Sequence, residues 1–350
     1  MIKILLHEPE LPRNKIAYHQ FVAFRKLFYE MGLEFVDYGN HDFVFMGDDS
    51  FINRKIGLDQ SIEFGIDQVN KQRAAVFLFD SSDSTSLLGS YEVLENTNAR
   101  HLFKNQLLSK EDYKKESPFG KWWWNDITGL EIGELYPMQA YDIPDHLWYK
   151  IKLSGWNIGY NNQANHQFVD GLNERDIDVC ALWNFDYPEN RDHGYRNDLF
   201  YNTHRIKAIG KLQRSDADFQ YKTGIRPIEE YYDILGRSKM AISPYGMGEI
   251  TNMDFDCMRF GTLMIKPAMD KIQTIPDFYM PYKTYIPCKP DWSDLTDVIH
   301  DVLINYDDYK KVSDGARLRF RRRYMTSLIG EYWYNIFKLQ PGITLEHFIS

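Results

Sequence analysis

Cysteine is scarce in this sequence. Only Cys180, Cys257 and Cys288 occur in 350 residues, and no metal-ligand spacing joins them. That leads us to expect reduced, mostly buried thiols in a cytoplasmic protein. Long apolar runs are also lacking. None approaches the roughly 18 residues that a bilayer span needs, so no membrane span is expected. The opening Met-Ile-Lys-Ile-Leu-Leu-His is too short in its apolar part for a signal peptide and reads as a first β-strand. Positive charge is not in excess: the net charge of −9 disfavours a protein whose main task is gripping duplex nucleic acid. After the first strand the chain runs His-Glu-Pro-Glu-Leu-Pro, without glycine, which excludes the dehydrogenase dinucleotide fingerprint. Internal repeats, low-complexity tracts and Gly/Ser linkers are absent.

What is present is ample core material. Hydrophobic residues make up 43% of the chain and aromatics 15%, with 24 Tyr and 8 Trp that either pack interfaces or face sugars and bases. The length predicts two domains of about 150 to 180 residues. In the first half, strand patterns at Ile2 to Leu6, Leu33 to Val36, Phe43 to Met46 and Ala74 to Phe79 alternate with a helical pattern over Lys15 to Met31. That order implies a mostly parallel sheet, whose ligands bind beyond the carboxyl strand ends. His7, Asp48, Asp80 and Asp83 follow such ends. Leu108 to Pro144, with Trp122-Trp-Trp124, reads as a long irregular connection. A boundary is expected near 165 to 175, followed by a strand at Ile177 to Leu182 and helices at about Tyr195 to Ile209, Ile228 to Leu235, Asp294 to Val312 and Arg317 to Phe337.

The most informative stretch is Ser243-Pro-Tyr-Gly-Met-Gly-Glu-Ile-Thr-Asn-Met-Asp-Phe-Asp-Cys-Met-Arg-Phe-Gly-Thr-Leu-Met-Ile-Lys-Pro267. It predicts a strand end, a glycine loop, a short helix capped by Asn252 and stopped by Gly261, and a second strand. Gly246 and Gly248 let the backbone turn tightly. The amides around Met247 to Ile250 and Thr251, at a helix N-terminus, suit a phosphate or diphosphate. Asp256 adds an acceptor pair for ribose hydroxyls, and Glu249 is placed to meet donor sugar hydroxyls. Together these describe a nucleotide-diphosphate site.

At these residues the chain resembles the nucleotide-sugar-binding motif of GT-B-fold glycosyltransferases of the exostosin-like and group 1 C-terminal-domain types. Asp256 and Gly261 have the family's spacing of five, and "DCMRFGTLMIKP" stands at its acidic-small-Met run. Many relatives carry two glutamates eight apart, whereas Glu249 and Asp256 are seven apart here. The resemblance implies an α/β fold of two Rossmann-like domains facing a cleft. Residues 1–170 would bind the acceptor, 171–325 the donor, and a helical segment 326–350 would cross back to the first domain. It further implies a metal-independent transferase, with no cofactor besides a nucleotide-diphosphate sugar, foremost a UDP-sugar. Arg191 or Arg196, with Lys266 as a further candidate, would face the diphosphate.

The acceptor is read as a glycan or small molecule. Its hydroxyl needs a base, for which Asp80 and Asp83 are the first candidates and His7 and Asp48 the next. Two alternatives stay open. One is a phage-type DNA glycosyltransferase acting on a hydroxymethylated base, served by a basic patch at Arg317 to Arg323 or Lys71 to Arg73. The other is a non-catalytic nucleotide- or carbohydrate-binding protein.

Overall fold

The computed structural model describes residues 1–23, 25–115, 117–118, 123, 138–139, 141–154, 174–186, 188, 191–192, 195–214, 219–275, 277–324, 332–333 and 336. The first half forms a six-stranded parallel sheet of β1 (Ile2–His7), β2 (Leu33–Val36), β3 (Phe43–Gly47), β4 (Ala75–Asp80), β5 (His101–Lys104) and β6 (Ile151–Leu153). Their order is β2-β1-β3-β4-β5-β6. Parallel neighbours require crossovers, and α1 (Pro12–Ala23) and α2 (Leu58–Asn70) supply two of them. Central β4 is a continuous apolar run, buried from Val76 to Asp80, while edge strand β2 alternates buried and half-buried residues.

The second half repeats the plan. Strands β7 (Ile177–Ala181), β8 (Tyr221–Thr223), β9 (Ser238–Ile242), β10 (Leu263–Pro267) and β11 (Ile286–Cys288) form a parallel sheet in the order β8-β7-β9-β10-β11. Its helices are α3 (Asn197–Gln213), α4 (Ile228–Arg237), α5 (Asn252–Phe260), α6 (Leu295–Ile304) and α7 (Tyr306–Tyr324). The helix expected from Tyr195 starts at Asn197, because Tyr195–Arg196 pairs antiparallel with Arg191–Asp192. The one expected over Asp294 to Val312 divides at Asn305, whose amide donates to the Asp301 carbonyl and carboxylate. The pattern over Lys15 to Met31 likewise falls into α1 and a short helix Arg25–Glu30.

Residues that follow strands of one sheet meet residues that follow strands of the other. Gln106–Leu107, just after β5, pairs antiparallel with Gln273–Thr274, after β10. Thr85, after β4, hydrogen-bonds Glu249, after β9. Trp123 packs on Tyr245 with ring centroids 5.2 Å apart. Two parallel α/β sheets whose carboxyl ends face one seam make the GT-B layout. Beyond α7, Trp333 lies in the core of the first domain, 4.9 Å from the Phe21 ring and 4.7 Å from the Phe103 ring. The Tyr332 hydroxyl donates to the Leu153 carbonyl. Residues 165–173 of the expected boundary, Trp122, Trp124 and most of 326–350 lie outside the described residues.

Candidate functional site

A cavity of about 460 Å³ opens at the carboxyl ends of β7 and β9. Trp183 and Asn184 leave β7 along one wall, Arg226, Ile228 and Tyr231 come from the start of α4, and Thr251, Asn252, Met253 and Asp256 come from α5. Two helix N-termini therefore converge here, each with unbonded N–H groups and the positive end of a dipole. Arg205 reaches the cavity from the middle of α3. It donates to the Asn184 carbonyl at 2.8 Å, and Arg226 donates to the Thr223 carbonyl at 3.0 Å. Trp183 Nε1 is a buried donor with no hydrogen-bond acceptor among the described residues, while Arg226 Nε pairs with Glu230 Oε1 at 3.4 Å. Asp256 is the lining carboxylate. It accepts from Tyr231 Oη at 3.1 Å and Arg259 Nη1 at 3.0 Å. Burial pushes its carboxyl above the ordinary value, and Arg259 and Tyr231 only partly offset that.

The far ends of α4 and α5 are tied together by one side chain. Arg175 donates to the carbonyls of Leu235 (3.3 Å), Ser238 (2.6 Å), Phe260 (2.7 Å) and Gly261 (3.0 Å), and to Thr262 Oγ1 (2.9 Å). Gly261, with φ 63°, ends α5 in the left-handed region as expected.

The start of α5 differs from expectation. Its N-cap is Thr251, with Asn252 already helical. The reason is Asp254, which accepts from Thr251 N and Thr251 Oγ1, both at 3.1 Å, and also from Ser243 Oγ. Lys266 Nζ at 3.1 Å and Tyr279 Oη at 2.7 Å complete the ring of donors. Lys266 is thus engaged with Asp254 in a fully buried ion pair, and it does not line the cavity. Burial lowers its ammonium pKa against the opposing pull of Asp254.

The glycine loop faces the first domain more than the cavity. Gly246 N donates to the Gly248 carbonyl at 2.8 Å; Met247 is 39% exposed and Ile250 buried. A Cβ on Gly248 would sit 1.4 Å from the Asp83 carbonyl oxygen, so close backbone approach excludes any side chain there. Glu249, expected at the donor sugar, is fully buried and accepts from Thr85 Oγ1 (2.8 Å), Thr85 N (3.2 Å) and Gln106 Nε2 (2.5 Å). These first-domain donors hold it at the seam, away from the cavity lining.

Among the acceptor-side candidates, Asp80 is 1% exposed and fully engaged. Lys104 Nζ (2.9 Å), Ser82 N (2.9 Å), Ser82 Oγ (2.5 Å) and Ser90 Oγ (2.5 Å) all donate to it. Burial alone would raise its pKa, but the Lys104 charge and these hydrogen bonds prevail and hold it below the ordinary value. A carboxylate so occupied is poorly placed to take a proton from an acceptor, which weighs against the preference for Asp80 as base. Asp83 is exposed, three residues on, beside the glycine loop. Asp48 is buried, accepting from Ser81 N at 2.5 Å and Arg54 Nη2 at 3.1 Å. His7 Nδ1 lies 3.0 Å from Ser50 Oγ, and burial lowers its pKa despite Glu8.

Arg191 and Arg196 face each other in the short hairpin before α3, and their side chains lie outside the described residues. In the basic run, Arg319 Nε donates to the Asp277 carbonyl at 2.5 Å and Arg321 is exposed. Sequence reasoning missed Arg205, Arg226, Tyr231, Thr85 and Gln106. Arg226-Pro227 follows strand β8 and opens α4, so the strand-exit rule would have found it had β8 been recognised. Arg205 sits mid-helix and carries no local signal. Among the described residues, no group of three or more His, Cys, Asp or Glu could hold a metal ion, and no helix is long and apolar enough to cross a membrane.

No family model matches the sequence, and no curated protein matches it. Solved structures of low identity do. TarM is 12% identical with a TM-score of 0.43 over 84% of this chain and 54% of TarM, so the chain spans about half of TarM's length. An alpha-glucosyltransferase in complex with UDP and a 13-mer DNA containing an HMU base is 10% identical, with a TM-score of 0.46 over 96% of this chain and 99% of that one. HepE of Anabaena in complex with UDP-glucose is 11% identical, with a TM-score of 0.45 over 97% and 100%.

Proposed function

We propose that the chain is a glycosyltransferase that binds a nucleotide-diphosphate sugar, foremost a UDP-sugar, in the cavity at the α4 and α5 N-termini. The observation that carries this reading is the segregation of donors and acceptor in the cavity walls. Arg205, Arg226, Trp183 with its unmatched Nε1 and two helix N-termini all offer hydrogens, against the single lining carboxylate of Asp256. An anionic diphosphate satisfies the donors, and a ribose diol satisfies the carboxylate. In the transfer step an acceptor oxygen attacks the anomeric carbon and the bond to the diphosphate oxygen breaks. Charge then grows on the leaving diphosphate, where the guanidinium groups and helix N–H groups stabilise it. The proton of the acceptor hydroxyl passes to a base on the first-domain side, for which exposed Asp83 is our choice. Metal independence belongs to the same reading, because side-chain cations and dipoles supply the positive charge.

A thermal-shift panel of nucleoside diphosphates tests the cavity. UDP at 100 times its dissociation constant should stabilise the protein by about 2.7 kcal/mol, with ADP and GDP doing less at equal concentration. No shift with any nucleotide would sink the proposal. Turnover of a UDP-sugar should then survive EDTA, whereas loss restored only by Mn²⁺ or Mg²⁺ would overturn metal independence alone.

A further inference from the structure

Gln106 straddles the seam between the two sheets. Its side-chain nitrogen carries two hydrogens and both are used. One goes to the Asp83 carbonyl at 2.7 Å, in the first domain, and the other to Glu249 Oε2 at 2.5 Å, in the glycine loop of the second. The amide cannot be turned over, because its oxygen would then face a carbonyl and a carboxylate. Thr85 adds its backbone N–H and hydroxyl to the same carboxylate. Thr85, Gln106 and Glu249 are all 0% exposed. The Asp83 carbonyl meanwhile lies so close over Gly248 that no Cβ fits between them.

We propose that Gln106, Thr85 and Glu249 form a clasp that holds the two domains closed and sets Asp83 against the glycine loop. They are positioning residues and touch no ligand. Only the role of Asp83 in this inference rests on the proposed function; the clasp itself does not. Three donor groups close on one buried acceptor, but opening returns all three side chains to water, which replaces what is lost. The clasp is therefore reversible and suits a cleft that must admit and release substrates.

The test measures the distance between the domains without any ligand. The three native cysteines are buried, so thiol-directed spin labels at Tyr38→Cys and Ile304→Cys, positions 87% and 81% exposed, report one distance across the seam. The parent should give a narrow distribution, Gln106→Leu a broader and longer one, and Thr85→Val a smaller change in the same direction. Should Gln106→Leu fail to fold, Thr85→Val decides alone, since it removes a single hydroxyl bond. An unchanged distribution in the variants would overturn the clasp. In transfer assays kcat should fall at least ~10-fold, while UDP affinity stays within about twofold because the cavity lies in the second domain. Parallel loss of kcat and UDP affinity would overturn the positioning role. A parent protein that bound no nucleotide would instead overturn the reading of the cavity, with the clasp still decided by the distances.

Discussion

Replacing Asp256 perturbs two things at once, and the structure separates them. Its carboxylate lines the cavity and also faces Arg259, whose side chain is only 7% exposed. Alanine would take a carboxylate away from that buried guanidinium, at a cost of roughly 3–5 kcal/mol. The Tyr232 and Phe260 rings, 5.7 and 5.8 Å from its carbon, return part of this. A domain stable by about 5–15 kcal/mol would be badly weakened, and a binding loss would be uninterpretable. Asparagine is the informative change, since its amide oxygen still accepts from Arg259 or Tyr231. Ribose hydroxyls would then meet a neutral acceptor in place of a charged one. The difference between hydrogen bonds worth about 1.5–3 and about 0.5–1.5 kcal/mol is ~1–1.5 kcal/mol. UDP should accordingly bind roughly 5- to 12-fold more weakly. Calorimetry with UDP and its 2′,3′-dideoxy analogue localises the effect. The parent should lose affinity on going to the analogue, and Asp256→Asn should lose little more. Equal losses in both proteins, or UDP affinity unchanged by the mutation, would remove Asp256 from the ribose site.

Burial raises the Asp256 carboxyl, and its ionised form is the one that accepts hydroxyls. Affinity for a UDP-hexose, whose diphosphate keeps its charge, should therefore fall on acidification from above the ordinary carboxylate range near ~4. Asp256→Asn should lack that dependence, and a parent titration flat down to pH 4 would refute it. Asp83→Asn should slow transfer about 10²-fold with UDP affinity unchanged. Asp80→Asn should instead destabilise the fold by roughly 3–5 kcal/mol, because it leaves buried Lys104 without a counter-charge. A stable, slow Asp80 variant beside a silent Asp83 variant would return the base to Asp80. Glu92 is pushed up to about 7, chiefly by burial, from an ordinary 4.5. Its stabilising contribution is full below the unfolded value and is lost as pH rises through the folded one. Glu92→Gln should raise the melting temperature at pH 8 and leave it unchanged at pH 4; a pH-independent offset would contradict this.

Strands that run apolar through a buried sheet were legible in the sequence, as Phe43 to Met46 and the run into Asp80 illustrate. So were the glycine loop and the helix stop at Gly261, which depend on local backbone chemistry. Strand β5 was not: its Leu-Phe pair is flanked by His101 and Lys104, and the lysine is buried only because Asp80 awaits it across the sheet. Asp80, Asp254 and Glu249 show the same limit. An acidic residue near a strand end reads alike whether it faces solvent, a buried lysine or another domain. The partners that decide, such as Lys104 for Asp80 or Thr85 for Glu249, lie 24 and 164 positions away.

The cluster of bonds around Arg175 gives the cavity an unusual mechanical property. Helices α4 and α5 open onto the cavity at one end and are pinned to a common guanidinium at the other, about 14 Å away for a helix of nine residues. They resemble the arms of a caliper, with half-buried Arg175 as the shared anchor at the ends remote from the cavity. Arg175 directly precedes the first strand of the second domain. A substitution at Arg175 should therefore alter the cavity mouth without touching a residue that lines it.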